Sequence, residues 1–165
     1  MTLVPDAPRS LADRIDLEPL PLAVVRHAGL RLDDLRSVFD AGFSALGRAF
    51  AGGALTPTSP AIAIYRGDPQ DVFDLELGFV VTAAPRTPIV DRGTEITASA
   101  LPAGPALATT HVGDYDGLGE AWGSLVAEGA EQGAGPAGVW IEIYVTDPSN
   151  AEDELRTDLI MPIAG

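Results

Sequence analysis

Cysteine is absent from this 165-residue chain, which excludes disulfides, thiolate nucleophiles and thiolate metal sites. Lysine is absent too. All ten basic residues are scattered arginines, set against 24 acidic residues for a formal charge of −14. Such a field repels a phosphate backbone and favours neutral or cationic ligands, so direct nucleic-acid binding is not expected. The plainer reading is that the acidity simply keeps the protein soluble. No apolar run approaches the ~20 residues of a membrane-spanning helix, and the N-terminus lacks the basic-then-apolar order of a signal peptide. No membrane association is therefore expected, and the expected location is cytoplasmic. The glycines never form a phosphate-binding G-x-x-x-x-G-K or G-x-G-x-x-G loop, and there is no G-x-S-x-G elbow. With two histidines and no third ligand at suitable spacing, neither a metal nor any other cofactor is expected.

What the chain does contain is a repetition. Ala61-Ile62-Ala63-Ile64-Tyr65-Arg66-Gly67-Asp68-Pro69 is echoed 79 positions later by Trp140-Ile141-Glu142-Ile143-Tyr144-Val145-Thr146-Asp147-Pro148. Both copies alternate like strands and end in Tyr-x-x-Asp-Pro. Each runs into a second alternating stretch, Phe73 to Val81 in one copy and Leu155 to Ile163 in the other. Upstream, Leu20-Pro21 leading to His27-Ala28-Gly29 matches Leu101-Pro102 leading to His111-Val112-Gly113, so the two histidines fall at one repeat position. A duplicated half-domain predicts a pseudo-twofold with a cleft on its axis. Length and composition fit one compact domain that buries about two-thirds of its unfolded surface.

Periodicity fills in the elements. Met1 to about Ser10 is expected to fray. Ile15 to His27 reads as two strand segments bent at Glu18-Pro19-Leu20-Pro21, since proline cannot donate to a ladder. Leu32, Leu35, Val38-Phe39, Gly42-Phe43, Leu46 and Phe50 form the stripe of a helix over 33–50, stopped by Gly52-Gly53. Strands follow at 60–66 and 72–82. Ala83 to Asp91 holds two prolines and reads as the linker between repeats. The second copy opens with a strand at 94–99, a turn at 102–105 and a strand at 106–111. A helix over 115–132 carries Leu118, Trp122, Leu125, Val126 and Ala130, and strands at 138–146 and 154–163 complete the copy. The fold class is α+β: two strand–helix–strand–strand modules, about 15–82 and 92–163, with antiparallel sheet and both helices on one face.

Alternation places Trp140, Glu142 and Tyr144 on one face of their strand and Ile141 and Ile143 on the other. The isoleucines have the chemistry of a core face under the helices, leaving a carboxylate flanked by two rings on the opposite face. The matching face of the first copy is Ala61, Ala63 and Tyr65, which leaves space. A carboxylate between rings suits an organic cation, with cation–π terms of ~0.5–2 kcal/mol per ring. The plainer reading is a Glu142 that faces solvent on an open sheet. His27 and His111 could carry protons but more simply cap strand ends or bond to backbone. Trp122 and Phe39 read as core residues, with Trp122 also placed to overhang the cleft. Asp13, Asp16, Asp33, Asp34 and the Glu152-Asp153-Glu154 run read as solvated acidic surface.

The stretches Trp140 to Pro148 and Arg156 to Ile163, with Asp74 to Val81 and Leu101-Pro102-Ala103-Gly104, resemble the GyrI-like small-molecule-binding domain. That domain type also forms the effector-binding part of several AraC-type and MerR-type transcription regulators. The resemblance runs from about Ile15 to Ile163. It implies a duplicated strand–helix–strand–strand (SHS2-type) fold with a ligand pocket between the halves. It also implies that Glu142 is the acidic pocket residue, with Trp140, Tyr144, Tyr65 and Tyr115 as pocket neighbours. Regulators of this kind carry a helix-turn-helix ahead of the pocket. Only about 14 residues precede the first strand here, so a stand-alone member is expected.

The expected function is binding of an amphipathic, cationic or aromatic small molecule. A hydrolase of reactive cyclopropane-type natural products, with Glu142 and Tyr144 as its catalytic pair, is the enzymatic alternative the resemblance implies. A module that binds a protein partner, of the gyrase-inhibitor type, is the third.

Overall fold

The computed structural model describes residues 3–146 and 155–164. Asp147-Pro148 of the second repeat copy and the Glu152-Asp153-Glu154 run lie outside the described residues. The chain is α+β. In order it forms β1 (Asp13–Leu17), β2 (Pro21–Leu30), α1 (Leu35–Ala51), β3 (Ala61–Gly67), β4 (Phe73–Val80), β5 (Ile89–Asp91), β6 (Thr94–Ala100), β7 (Gly104–Val112), α2 (Leu118–Glu131), β8 (Val139–Tyr144) and β9 (Arg156–Pro162). A single 3-10 turn leads into each helix, at Leu32–Asp34 and Tyr115–Gly117.

These elements gather into two compact units. A central unit spans Pro19–Leu101; a discontinuous unit joins the residues up to Glu18 to those from Pro102 onward. Within the central unit the strand order is β3-β4-β2-β6-β5, and within the discontinuous unit it is β1-β7-β9-β8, every pairing in each being antiparallel. The units do not coincide with the sequence repeats. β1 stands ahead of the first helix yet pairs with β7, and β6 opens the second repeat yet pairs with β2. The stretch read as a linker, 83–91, contains β5, which pairs with β6 inside the central unit. The expected turn at 102–105 already holds the start of β7, whose Gly104 and Pro105 pair with Leu17 and Asp16.

In the central unit α1 buries Gly42, Ala45, Leu46 and Ala49, a small-residue face that allows close approach to the sheet. A Cβ on Gly42 would stand 3.1 Å from Leu77 Cδ1. Ala23, Val25, Leu46, Ala49, Val81 and Ile96 make the core there, with Phe43, Phe50 and Phe79 packed on it edge to face. Leu32, placed in the helical stripe by its spacing, sits in the preceding 3-10 turn and is exposed. In the discontinuous unit Leu107, Leu125, Leu159, Met161 and Ile163 form the core, with Leu118, Ala121, Trp122, Val126 and Trp140 against it. Ala130, expected on the buried face of α2, is exposed, and Gly129 is buried instead. A Cβ at Gly129 would stand 2.8 Å from the Ala134 carbonyl.

Both helices end on glycines of positive φ, Gly53 (+79°) and Gly133 (+74°). At the second, Ala134 N–H reaches back to the Gly129 carbonyl at 2.8 Å, satisfying an orphaned acceptor of the last turn.

One expectation about the sheet faces is corrected. Leu159, the register partner of Glu142, belongs to the core under α2, as does Trp140. The Trp140–Glu142–Tyr144 face of β8 is therefore the helix-covered face, and Ile141 and Ile143 lie on the other side, fully buried there. Apolar residues on one side of a strand identify a core face only when the other side is wet; here both sides are buried.

The N-terminal segment, expected to fray, is held instead. Arg156 donates to the carbonyls of Pro5 (2.8 Å) and Asp6 (3.0 Å), and the Arg9 amide donates to Thr110 Oγ1 (2.8 Å).

Candidate functional site

β8 carries Glu142 into the discontinuous unit beneath α2, where it is only 7% exposed. A carboxylate out of water needs donors, and Trp122 and Tyr144 are among those it has. Trp122 Nε1, on α2, donates to Oε2 at 2.9 Å; the Tyr144 hydroxyl donates to Oε1 at 2.6 Å. Hydrogen bonds to a charged acceptor are the short, strong kind, each contributing about 1.5–3 kcal/mol. Both donors are side chains of aromatic residues, so these two bonds come from neutral groups and not from a countercharge.

The rings are themselves braced. Trp122 meets Trp140 edge to face, with centroids 5.4 Å apart and planes at 89°, and Tyr115 meets Tyr144 at 6.0 Å and 67°. Tyr115 sits in the 3-10 turn before α2 and is 39% exposed, which makes it the outermost ring of the set. Five of the six predicted site residues, Glu142, Trp140, Tyr144, Tyr115 and Trp122, thus form one connected cluster. The sixth, Tyr65, belongs to the central unit, where it is buried against Phe73 with centroids 5.4 Å apart.

A carboxylate has about four acceptor positions, and the two bonds from Trp122 and Tyr144 occupy part of that capacity. Chemically the arrangement can attract a cation to an anion set among ring faces. It can also hold a polar hydrogen between a phenol and a carboxylate.

The histidines divide. His111 Nε2 lies 2.7 Å from the Asp114 carbonyl and so donates to it, fixing the loop after β7. A Cβ on Gly117 would stand 2.6 Å from the same ring, so that residue must be glycine for the loop to close over it. His27 has its pKa lowered from the ordinary 6.5 because burial disfavours the charged ring, and its Nε2 is buried without a hydrogen-bond partner among the described residues. Among the described residues no three His, Cys, Asp or Glu side chains are grouped to hold a metal ion.

Two further buried carboxylates escape a reading of the sequence. Glu76 on β4 accepts from Arg26 Nε (2.8 Å), Arg66 Nη2 (3.1 Å) and Ser99 Oγ (2.9 Å). Burial alone would raise its pKa, but the bonds from Arg26, Arg66 and Ser99 outweigh that and hold it below the ordinary 4.5. Asp158 on β9 is fully buried; it takes a bidentate pair from Arg156, 3.1 Å for each bond, and a bond from Thr110 Oγ1 at 2.8 Å. The sequence does hold a signal, because Glu76 and Asp158 fall at one position when the two stretches read as repeat copies are laid side by side. An acidic residue in an alternating strand nevertheless reads first as a solvent-facing one.

The model for GyrI-like small molecule binding domains matches residues 15–164. Among solved structures, the chain is similar to the EcmrR C-terminal domain, with a TM-score of 0.73 and 19% identity, covering 93% of this chain and 96% of that one. A hydrolase from Listeria innocua superposes with a TM-score of 0.65 at 14% identity, over 96% of this chain and 94% of that one. The structure of SAV2435 bound to tetraphenylphosphonium gives a TM-score of 0.61 at 10% identity, over 93% and 94%. At these identities the likeness is one of fold. No curated protein matches the chain.

Proposed function

The chain belongs to the GyrI-like small-molecule-binding domain family, and from that premise we propose that it binds an amphipathic organic cation at Glu142. The observation that carries this reading is the carboxylate itself, nearly buried, held by two aromatic donors, and bracketed by four rings. Glu142 supplies the charge attraction, Tyr115 and Tyr144 the first ring faces a ligand meets, and Trp122 and Trp140 the floor. The tetraphenylphosphonium held by SAV2435, a lipophilic cation on a similar fold, supports this ligand class.

Magnitudes favour modest affinity. Burial of a few hundred Å2 of ligand at ~25 cal/mol per Å2 contributes several kcal/mol, and association costs at least ~4 kcal/mol. A dissociation constant of micromolar order follows, with broad selectivity, since rings and a single carboxylate specify charge and shape but few exact contacts.

The test is thermal unfolding of wild type and Glu142→Gln with tetraphenylphosphonium, a neutral aromatic of similar size and an aromatic anion. Stabilisation by the cation alone, weakened at least tenfold in the variant, is the expected result. Equal responses in both proteins would remove Glu142 as the anchor.

A second reading has its own support. The Tyr144 hydroxyl stands 2.6 Å from Glu142 Oε1, a phenol–carboxylate pair able to orient and deprotonate a water, and one similar structure is a hydrolase. Mass spectrometry of recovered ligand separates the two readings, because a binder returns its ligand unchanged.

A further inference from the structure

The central unit holds an open pocket of about 420 Å3, within the size range of small-ligand sites. It is lined by Arg26, His27, Arg66, Asp74, Glu76 and Ser99, none of them in the Glu142 cluster. Glu76 forms its anchored centre. Among the described residues Arg26 spends its Nε on Glu76 and its Nη2 on the Ala98 carbonyl (3.1 Å), and Arg66 spends one Nη2 hydrogen bond, also on Glu76. A guanidinium has five N–H donors, so both arginines keep donors in hand while they share the one charge of Glu76. The side chains of both are partly exposed, at 57% and 40%. The buried, unpartnered Nε2 of His27 belongs to the same lining.

A guide to what such a site can hold is its counterpart, where the arginine, Arg156, stands at the repeat position of Asp74. Glu76 pairs in register with Arg26 on β2 and Ile64 on β3; Asp158 pairs with Thr110 on β7 and Ile143 on β8. These are equivalent positions of the two repeat copies. Over Asp158, however, the place is filled by the chain itself. Arg156, ion-paired to Asp158, turns its remaining N–H groups to the carbonyls of Pro5, Asp6 and Ala7, at 2.8, 3.0 and 3.5 Å. Thr110, at the position of Arg26, takes the Arg9 amide at 2.8 Å. A carboxylate-anchored arginine in this setting therefore grips main-chain carbonyls.

We propose that the pocket over Glu76 is a second ligand site, one that takes a short peptide through its main-chain carbonyls on Arg26 and Arg66. Charge favours this over a small anion. Arg26 and Arg66 are balanced within the pocket by Glu76 and Asp74, and the chain as a whole carries −14, so a free anion gains little while a neutral carbonyl gains the donors without opposition. The peptide is a separate molecule, since residues 3–9 of the chain are already engaged at Arg156, Thr110 and, through Leu3, the Arg9 guanidinium. The site is independent of the Glu142 reading.

The test uses the full chain, 15N-labelled, titrated with acetyl-Leu-Val-Pro-Asp-Ala-Pro-Arg-amide, a blocked copy of the segment the counterpart site holds. Acetate at equal concentration is the anion arm. Shifts at the amides of Arg26, Arg66 and Ser99 are expected with the peptide and not with acetate. Arg66→Lys keeps a positive partner for Glu76, and so the fold, but loses the planar fork; binding weakens at least tenfold while tetraphenylphosphonium titration is unchanged. The proposal is overturned by an absence of shifts, by shifts centred on Thr110 and Arg156, by acetate reproducing the effect, or by Arg66→Lys binding the peptide as wild type does.

Discussion

Trp122 Nε1, projecting from α2, donates to Glu142 Oε2 on β8 over 2.9 Å. The helix thus latches the carboxylate on one side while Tyr144, two residues along the same strand, holds the other oxygen. Any cation that reaches Glu142 must share it with the indole or displace it. Trp122→Phe keeps a ring against Trp140 and Leu125 but removes the donor. Stability is expected to fall by about 1–3 kcal/mol, the cost of taking a donor away from a buried acceptor. Affinity for tetraphenylphosphonium is expected to hold or rise, because the indole no longer competes for that oxygen. Urea unfolding and calorimetric titration read the two effects separately. A loss of affinity as large as that of Glu142→Gln would mean that the indole N–H takes part in holding the ligand and does not compete with it for Glu142. Trp122 and Trp140 are the only tryptophans of the chain, so a ligand bound at Glu142 is expected to change the intrinsic fluorescence.

Asp158 acts differently, orienting Arg156 so that Arg156 in turn holds the N-terminal segment. The pair is buried, with side-chain exposures of 0% and 12%. Asp158→Asn leaves the guanidinium without its countercharge, at an expected cost of about 3–5 kcal/mol. The distinguishing sign is local. Hydrogen exchange at the Arg9 amide should accelerate more than exchange in α2, because Thr110 and the Arg156 fork both lose the carboxylate that aims them. Equal acceleration in both places would mean that Asp158 contributes only to global stability.

Much of this arrangement is legible in the chain, and the reasons differ residue by residue. Glu142 stands out because it alternates with Trp140 and Tyr144 and because the family resemblance gives it the acidic pocket position, whereas spacing alone reads first as a solvent-facing carboxylate; the helical stripes of Phe43, Leu46 and Leu125 follow from local spacing. The choice of face is not legible. Ile141 and Ile143 are as buried as Leu159, so alternation cannot say which side α2 covers. The exchange of β1 and β6 between repeats depends on pairings roughly 90 and 70 residues away in sequence, for which no local pattern exists. The N-terminal segment looks free because its anchors, Arg156 and Thr110, lie far along the chain. Glu76 is hidden for the opposite reason: its partners Arg26, Arg66 and Ser99 are ordinary polar residues on three strands, and only the fold converges them.

That convergence has a pH signature. The pKa of Glu76 is depressed in the folded chain and returns to about 4.5 when it unfolds, so the unfolded state binds the proton more readily. Its contribution to stability is complete above pH 4.5 and is lost as the pH falls from there through the lower folded value. His27 adds to the same limb from higher pH. Its folded pKa lies below 6.5, so the unfolded chain takes up that proton first, and stability declines as pH falls below 6.5. His27 thus contributes to the decline from pH 6.5 downward, and Glu76 joins below 4.5. Glu76→Gln should flatten the lower part of the stability–pH curve while leaving the upper part in place, and His27→Gln should do the reverse. Denaturant unfolding at half-unit pH steps from 3.5 to 8 separates them. A Glu76→Gln curve that remains parallel to wild type below pH 4.5 would show that the Arg26–Glu76–Arg66 group does not bind its charge more tightly in the folded chain than water does in the unfolded one.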